Sequence, residues 1–424
     1  MIKIIRDGVN KRSEIFSAKM ERPDISAVVS EIVERVKTEG DAAVRFYTEK
    51  FDKAKLVSLQ VTNEEIKEAV DSVEPEFIEI LKKAAQNIRV FHEKQKREGF
   101  ELKKEGGVIV GQKVIPVECA GIYVPGGTAA YPSTVLMDAI PAVVAGCERV
   151  VMVTPPDKEG RVNPAILAAA YVAGVKEIYK VGGAQAIAAL AYGTETIPKT
   201  DKIVGPGNAF VAEAKRQVFG QVSIDMIAGP SEILVVADAS NSPKNIAADL
   251  LSQAEHDKMA SAVLVTDSEA FALSVSEELE RQIPLLERAE IARTSIDTNG
   301  KIIVVDSVDT AIEIANGIAP EHLELCVDEP FEYLDKVKHA GSVFLGKNCP
   351  EALGDYYAGP NHTLPTSGTA RFSSPLSVDD FVKKTQYIYY DKSALESVCK
   401  EVEYFAKKEG LTAHAKSAVC RFED

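Results

Sequence analysis

The sequence predicts an α/β protein built on two doubly wound parallel sheets. Two observations carry the prediction. Short Val/Ile-rich runs alternate with helix-patterned segments from IYVPGG (122–127) onward, the signature of βαβ units whose strands are buried on both faces. The alternation comes as two series that meet near residues 228–232. The size agrees: 424 residues exceed what one core usually serves, and 46% hydrophobic with 27% charged residues is an ordinary globular composition. A disordered or fibrous chain is excluded.

The elements follow in order. Residues 25–50 and 64–100 carry apolar side chains at three- and four-residue spacing between charges and read as helices. VIV and KVIPVE, from Gly107, read as a hairpin or meander. In the first series IYVPGG precedes a helix over 133–145, RVVMVTPP one over 164–173, EIYKVGG one over 184–191 and DKIVGPG one over 209–219. In the second, EILVVAD leads into 243–257, AVLVTD into 269–281 and KIIVVD into 307–316, with GSVFLG later. From about Pro375 the chain is more charged and reads as a small helical tail.

Charge and cysteines narrow the function class. Lys plus Arg is 49 against 64 Asp plus Glu, a net charge of -15, which repels phosphate backbones and argues against nucleic-acid binding. Cys119, Cys147, Cys326, Cys349, Cys399 and Cys420 form no CxxC pair and fit a reducing compartment. The start, MIKIIRDGVNKRSE, lacks the apolar core of a signal peptide. No uncharged apolar run approaches the ~20 residues of a membrane span. The expectation is a cytoplasmic protein that binds no membrane.

Of six histidines, His92 in FHEKQKREGF reads as a solvated helix residue, and His339 after LDKVK as a helix C-terminal one. The others sit in unusual settings. Gln253 and His256 of LSQAEH are three apart on a predicted helix and share a face; they could grip a metal, or be helix surface, and glutamine is a weak zinc ligand. APEHLEL puts Glu321 beside His322 after the helix-stopping Pro320. A carboxylate can raise an imidazole's basicity for proton transfer. That role requires a turn, since neighbours in a regular strand face opposite ways; otherwise this is a polar loop before the strand LELCV. The irregular stretch 354–368 offers Asp355 and His362, and EGLTAH offers Glu409 and His414 after a helix that Gly410 ends. Glycine turns follow strands at 124–127 (VPGG), 181–186 (VGGAQA) and 204–210 (VGPGNAF). They could admit a phosphate to a helix N-terminus or merely pack tightly, and none matches G-x-G-x-x-G.

Together, AGIYVPGGTAAYPSTVLM, VGGAQAIAALAYGT, KIVGPGNAFVAEAKRQVFG, IDMIAGPSEILVVAD, DLLSQAEHD, APEHLEL, LGDYYAGPNHTLPTSGTARF and EGLTAHAKS resemble the histidinol dehydrogenases, in that family's order and approximate spacing. The resemblance covers nearly the whole chain and is weakest in the first hundred residues. It implies a zinc- and NAD-dependent enzyme of histidine biosynthesis that oxidises L-histidinol through L-histidinal to L-histidine, reducing two NAD. It implies zinc ligands at Gln253, His256, Asp355 and His414, one ion per subunit, and an acid–base pair at Glu321 and His322. Ser231, His362 and Glu409 would join the zinc ligands and His322 in holding substrate; Tyr123, Gln185 and Asn208 would contact NAD. It further implies two incomplete Rossmann-like domains with small helical extensions: an N-terminal extension over 1–20, a metal and catalytic domain over 21–122 plus 232–376, an NAD domain over 123–231, and a tail over 377–424. In an intertwined homodimer that tail would complete the partner's site. Two rivals stand beside this: a sister dehydrogenase of the same fold acting on another primary alcohol, such as a sulfonated diol, and a zinc hydrolase with no nicotinamide step. Glu409 and His362 speak against the first, because an anionic substrate prefers a basic partner.

Overall fold

The computed structural model describes residues 1–423 apart from 9, 11, 17–23 and 127–129. Two parallel sheets dominate, as the alternation predicts. The larger has six strands in the order Lys3–Arg6, Lys301–Val304, Ser261–Thr266, Glu232–Ala237, His322–Cys326 and Ser342–Leu345. The smaller has five, in the order Glu177–Lys180, Arg149–Thr154, Cys119–Tyr123, Lys202–Val204 and Ser223–Ile224. A third sheet is antiparallel: Val382–Tyr390, Val108–Pro116 and Phe100–Lys104.

Period-two alternation explains how each parallel sheet is covered. In the six-stranded sheet Ile233, Val235, Leu264 and Ile302 face helices Pro243–Ala254 and Glu269–Gln282, while Leu234, Val236, Val265, Leu323 and Leu325 face Val308–Ile318. In the five-stranded sheet Val151, Val153, Tyr179 and Ile203 pack with helices Ser26–Glu39, Gly183–Tyr192 and Ala209–Val218. Each such side chain contributes roughly 1.5–3 kcal/mol by leaving water.

Several elements depart from the sequence reading. The run 25–50 breaks at Gly40 (φ 56) into Ser26–Glu39 and Asp41–Asp52. A side chain at Gly40 would collide with the Glu195 carboxylate, and that carboxylate accepts the N–H of Asp41 (2.7 Å). The run 64–100 breaks at Pro75, and its first helix opens with a Thr62/Glu65 capping box. Helix Ala289–Asn299 and edge strand Lys3–Arg6 have no counterpart among the expected elements. The helix expected over 243–257 stops at Ala254. The tail is not all helix: Val382–Tyr390 is a nine-residue strand. His92 is fully buried, not solvated, with Nδ1 2.7 Å from Gln95 Oε1. His339 lies in a bend rather than on a helix.

The chain forms two compact units, Met1–Gln95 with Glu118–Phe381 and Lys96–Val117 with Val382–Asp424. Both parallel sheets belong to the first. The hairpin of 100–116, expected with residues 21–122, belongs with the tail strand in the second. The expected boundary between residues 20 and 21 lies outside the described residues. All six cysteines are free, and no helix of the described residues is long and apolar enough to cross a membrane.

Candidate active site

Within the first unit a cavity of about 730 Å³ is lined by residues from both parallel sheets. The five-stranded sheet contributes the loop Gly205–Ala209, after its strand Lys202–Val204, and the loop 225–231, after Ser223–Ile224. The six-stranded sheet contributes Ser231 just before Glu232–Ala237, His256 before Ser261–Thr266, and Glu321 with His322 at the start of His322–Cys326.

The turn that the Glu321–His322 pair requires is present. Helix Val308–Ile318 ends on Ala319 in the left-handed conformation (φ 56), and Glu321 lies outside the regular strand. Both side chains line the cavity. His322 is 3% exposed, and its Nδ1 lies 3.0 Å from the carbonyl oxygen of Glu232. A carbonyl only accepts, so Nδ1 carries the hydrogen. Nε2 is then the nitrogen that gains and loses the second proton. It is buried without a hydrogen-bond partner, 3.5 Å from Asp355 Oδ1 and 4.0 Å from Glu351 Oε1. Glu321 Oε2 sits 3.6 Å from Nδ1 and accepts the N–H of Glu232 (2.8 Å).

These charges set the protonation of the site. Burial alone would lower the His322 pKa, but the Glu321 and Asp355 carboxylates overcome it and hold it well above the ordinary value. Burial likewise opposes ionised Asp355, yet His322 and His362 hold its carboxyl well below the usual range. Burial, then the Asp355 charge, pushes Glu351 up to about 8. Burial, then Glu321, pushes Glu232 up to about 7. His256 and His362 are both lowered, chiefly by burial.

Asp355 rides on a π-helical turn, Gly354–Ala358, a feature frequent at functional sites. Its carbonyl oxygen accepts from His362 Nδ1 (3.1 Å), leaving His362 Nε2 to face the Thr134 hydroxyl (3.4 Å). His322, Glu351 and Asp355 each offer a ligand atom, all within 4.8 Å of one another. Gln253 is 1% exposed and lines the cavity, yet neither its Oε1 nor its Nε2 has a partner. A buried polar group left unpaired costs about 1–3 kcal/mol, which a bound cation taking the amide oxygen would offset. His256 lies two residues beyond its helix, its N–H bonded to the Gln253 carbonyl (3.1 Å). The shared helix face expected for the two is therefore a helix end and a turn, and both still line the cavity. Gln253, His256 and Asp355 all line the cavity and offer it an amide oxygen, an imidazole and a carboxylate, donor types that a metal ion takes.

The remaining expected residues divide. Ser231 and His362 line the cavity. Glu409 and His414 belong to the second unit, where both are exposed; no residue of that unit is among the described lining. Asn208 lines the cavity and caps helix Ala209–Val218 by accepting from Phe210 N (3.0 Å) and Val211 N (3.2 Å). Tyr123 and Gln185 do not line it. The Tyr123 hydroxyl accepts the N–H of Gly183 (3.1 Å), and Gln185 is 1% exposed with Oε1 unpartnered. Gly127 of the VPGG turn lies outside the described residues. Glu351 escapes a reading of the sequence; its only signal is its place four residues before Asp355, where a helical turn stacks the two.

Comparison with known proteins shows the family. The family model for histidinol dehydrogenase matches residues 16–422. A histidinol dehydrogenase of Clostridium acetobutylicum is 56% identical over 428 residues, covering 100% of this chain and 99% of that protein. One of Bacillus subtilis is 55% identical over 393 residues, covering 93% of this chain and 92% of the relative. The crystal structure of histidinol dehydrogenase from Elizabethkingia anophelis superposes with a TM-score of 0.94 at 41% identity, covering 100% of this chain and 98% of the other.

Proposed function

The chain belongs to the histidinol dehydrogenase family, and from that premise we propose how its residues divide the work. The activity is the oxidation of L-histidinol to L-histidine, first alcohol to aldehyde and then aldehyde to acid. The sister-dehydrogenase alternative is not favoured by any relative above. NAD, when bound, accepts the hydride of each oxidation. Zinc, held by Gln253, His256, Asp355 and His414 of the partner subunit, would supply an anchor for the amine and imidazole nitrogens of the substrate.

The observation that carries the reading is the fixed tautomer of His322. With Nδ1–H committed to the Glu232 carbonyl, Nε2 is the nitrogen that would take the alcohol proton, and zinc on Asp355 would withdraw part of the negative charge that otherwise favours the protonated ring. A positioned base of this kind is worth about 10²–10⁴ in rate. The second oxidation consumes water, and Glu321 is the carboxylate that draws a proton from it. Ser231 and His362 hold the substrate, and Glu409 accepts the N–H of its imidazole. Asn208, Tyr123 and Gln185 serve NAD within segment 123–231; the metal and acid–base residues, apart from His414, lie in 232–376.

The tail, 377–424, completes the partner's site in a homodimer. Support comes from its exposed apolar side chains: Ile388 is 74%, Tyr404 66% and Phe405 67% exposed, more than a solvated face calls for. We place the enzyme in the cytoplasm.

The direct test is the absorbance of NADH on mixing purified protein, NAD and L-histidinol. Two NADH per histidine formed are expected; no NADH with metal-loaded protein would sink the assignment. The dimer is tested by mixing unfolded His322→Ala and His414→Ala chains and refolding them. Roughly a quarter of wild-type activity should return if the tail acts in trans in a two-fold dimer with independent sites, and none if it acts within its own chain.

A further inference from the structure

Beneath the cofactor side of the cavity lies a buried ion pair that the mechanism does not use. Lys215 and Asp225 have side chains 2% and 1% exposed, with Nζ 2.6 Å from Asp225 Oδ1. Both also seize the backbone of one residue. Lys215 Nζ donates to the Gly205 carbonyl (2.5 Å), and Asp225 Oδ2 accepts the Gly205 N–H (2.8 Å). Asp225 Oδ1 further accepts the N–H of Met226 (2.6 Å). Gly205 sits at φ 111, and a Cβ there would collide with the Tyr123 carbonyl oxygen and come 2.9 Å from Asp138 Oδ2. No other residue type fits this junction without movement.

Three cavity-lining segments converge on that glycine. It opens the turn leading to Asn208. Asp225 opens the loop that runs to Ser231. Asp138, on the third side, accepts from the Thr363 hydroxyl (2.7 Å), next to His362. A buried ion pair is a poor way to gain stability alone, since apolar residues of similar volume often do as well or better. What the pair adds is one fixed geometry between two loops.

We infer that Lys215 and Asp225 are positioning residues that lock the cofactor loop (205–209) to the substrate loop (225–231), so that NAD and substrate sense each other's binding through Gly205. The inference rests on the reading of the cleft proposed above. By linkage, the factor by which NAD changes substrate affinity equals the factor by which substrate changes NAD affinity.

The test uses the full-length, metal-loaded enzyme and the product L-histidine, which NAD cannot oxidise further. In the wild type, saturating NAD should tighten L-histidine binding about fivefold or more by calorimetry. In the neutral double variant Lys215→Met/Asp225→Asn that factor should fall below about two, with KM for NAD raised about tenfold and kcat reduced less than threefold. A merely structural pair would change melting temperature without changing the coupling factor. Gly205→Ala keeps the pair and displaces the turn, so it should lose the coupling as well; it decides the matter alone if the double variant does not fold. Wild-type coupling retained in a folded variant, or no coupling in the wild type, overturns the inference. A wild type that makes no NADH from histidinol overturns the functional reading itself, and this inference with it.

Discussion

The two parallel sheets are built alike and used oppositely. Both have helices on both faces and all-parallel pairing. At the cavity the five-stranded sheet presents residues that come after its strands: Pro125 after Cys119–Tyr123 and Gly205–Ala209 after Lys202–Val204. That is the usual ligand edge of an open α/β sheet. The six-stranded sheet presents residues that come before its strands or begin them, Ser231, His256 and the Glu321–His322 start of its fifth strand, joined by Asp355 and His362 from the chain beyond its last strand. The general rule for open α/β sheets would place chemistry at the other edge. If these side chains act as proposed, function follows the loops that carry them and not the edge the fold favours.

If the amino edge of the six-stranded sheet is the reacting half, the largest effect should come from its metal. Chelation should abolish turnover with far-ultraviolet circular dichroism nearly unchanged, zinc should restore it, and Gln253→Leu should retain less zinc by metal analysis. Full turnover with no metal left would refute a catalytic ion. Next comes the acid–base pair. His322→Asn should cost both oxidations about 10²–10⁴, whereas Glu321→Gln should slow histidinal oxidation more than histidinol oxidation in single-turnover assays. Equal losses for Glu321→Gln would remove its role with water.

The carboxyl edge of the five-stranded sheet should respond in binding rather than chemistry. Asn208→Ala removes a helix cap worth about 1 kcal/mol and should raise KM for NAD roughly tenfold with a smaller change in kcat; a kcat loss alone would break the contrast. The smallest effect is in stability. Burial pushes the Asp138 carboxyl up to about 8 from its ordinary 3.8. A folded pKa above the unfolded one gives stability that is complete below the unfolded value and lost as pH rises through the folded one. Asp138→Asn should therefore melt a few degrees above the wild type at pH 8, with the gap closing towards pH 4. A gap that does not vary with pH would mean Asp138 is already ionised in the folded chain.

Much of this is legible in the sequence because buried parallel strands write themselves as continuous Val/Ile runs: RVVMVT, EILVVA and SAVLVT are all strands. Edge and antiparallel pieces are not. Val382–Tyr390 is decided by pairing with Val108–Pro116, far away in sequence, and no local pattern announces such a partner. The site shows the same division. Glu321 and His322 stand out as neighbours in the chain. Glu351 does not, because one glutamate beside a helix turn has no signature until folding brings it to His322. His92 misleads because charges surround it in sequence, while in space it meets Gln95 and Asn361.

The antiparallel sheet carries a consequence for the order in which the protein can be made. Strand Val108–Pro116 is central to its sheet, between Phe100–Lys104 and Val382–Tyr390. On a ribosome its second neighbour emerges only after every strand of both parallel sheets. Until then one side of a nine-residue strand offers its peptide groups to any passing chain, the kind of open edge that seeds aggregation. Closing so long a loop is itself cheap, since each doubling of length adds only about 0.6 kcal/mol. The exposure comes from waiting, so slowed translation near the 3′ end of the message should cost yield more than slowed translation early.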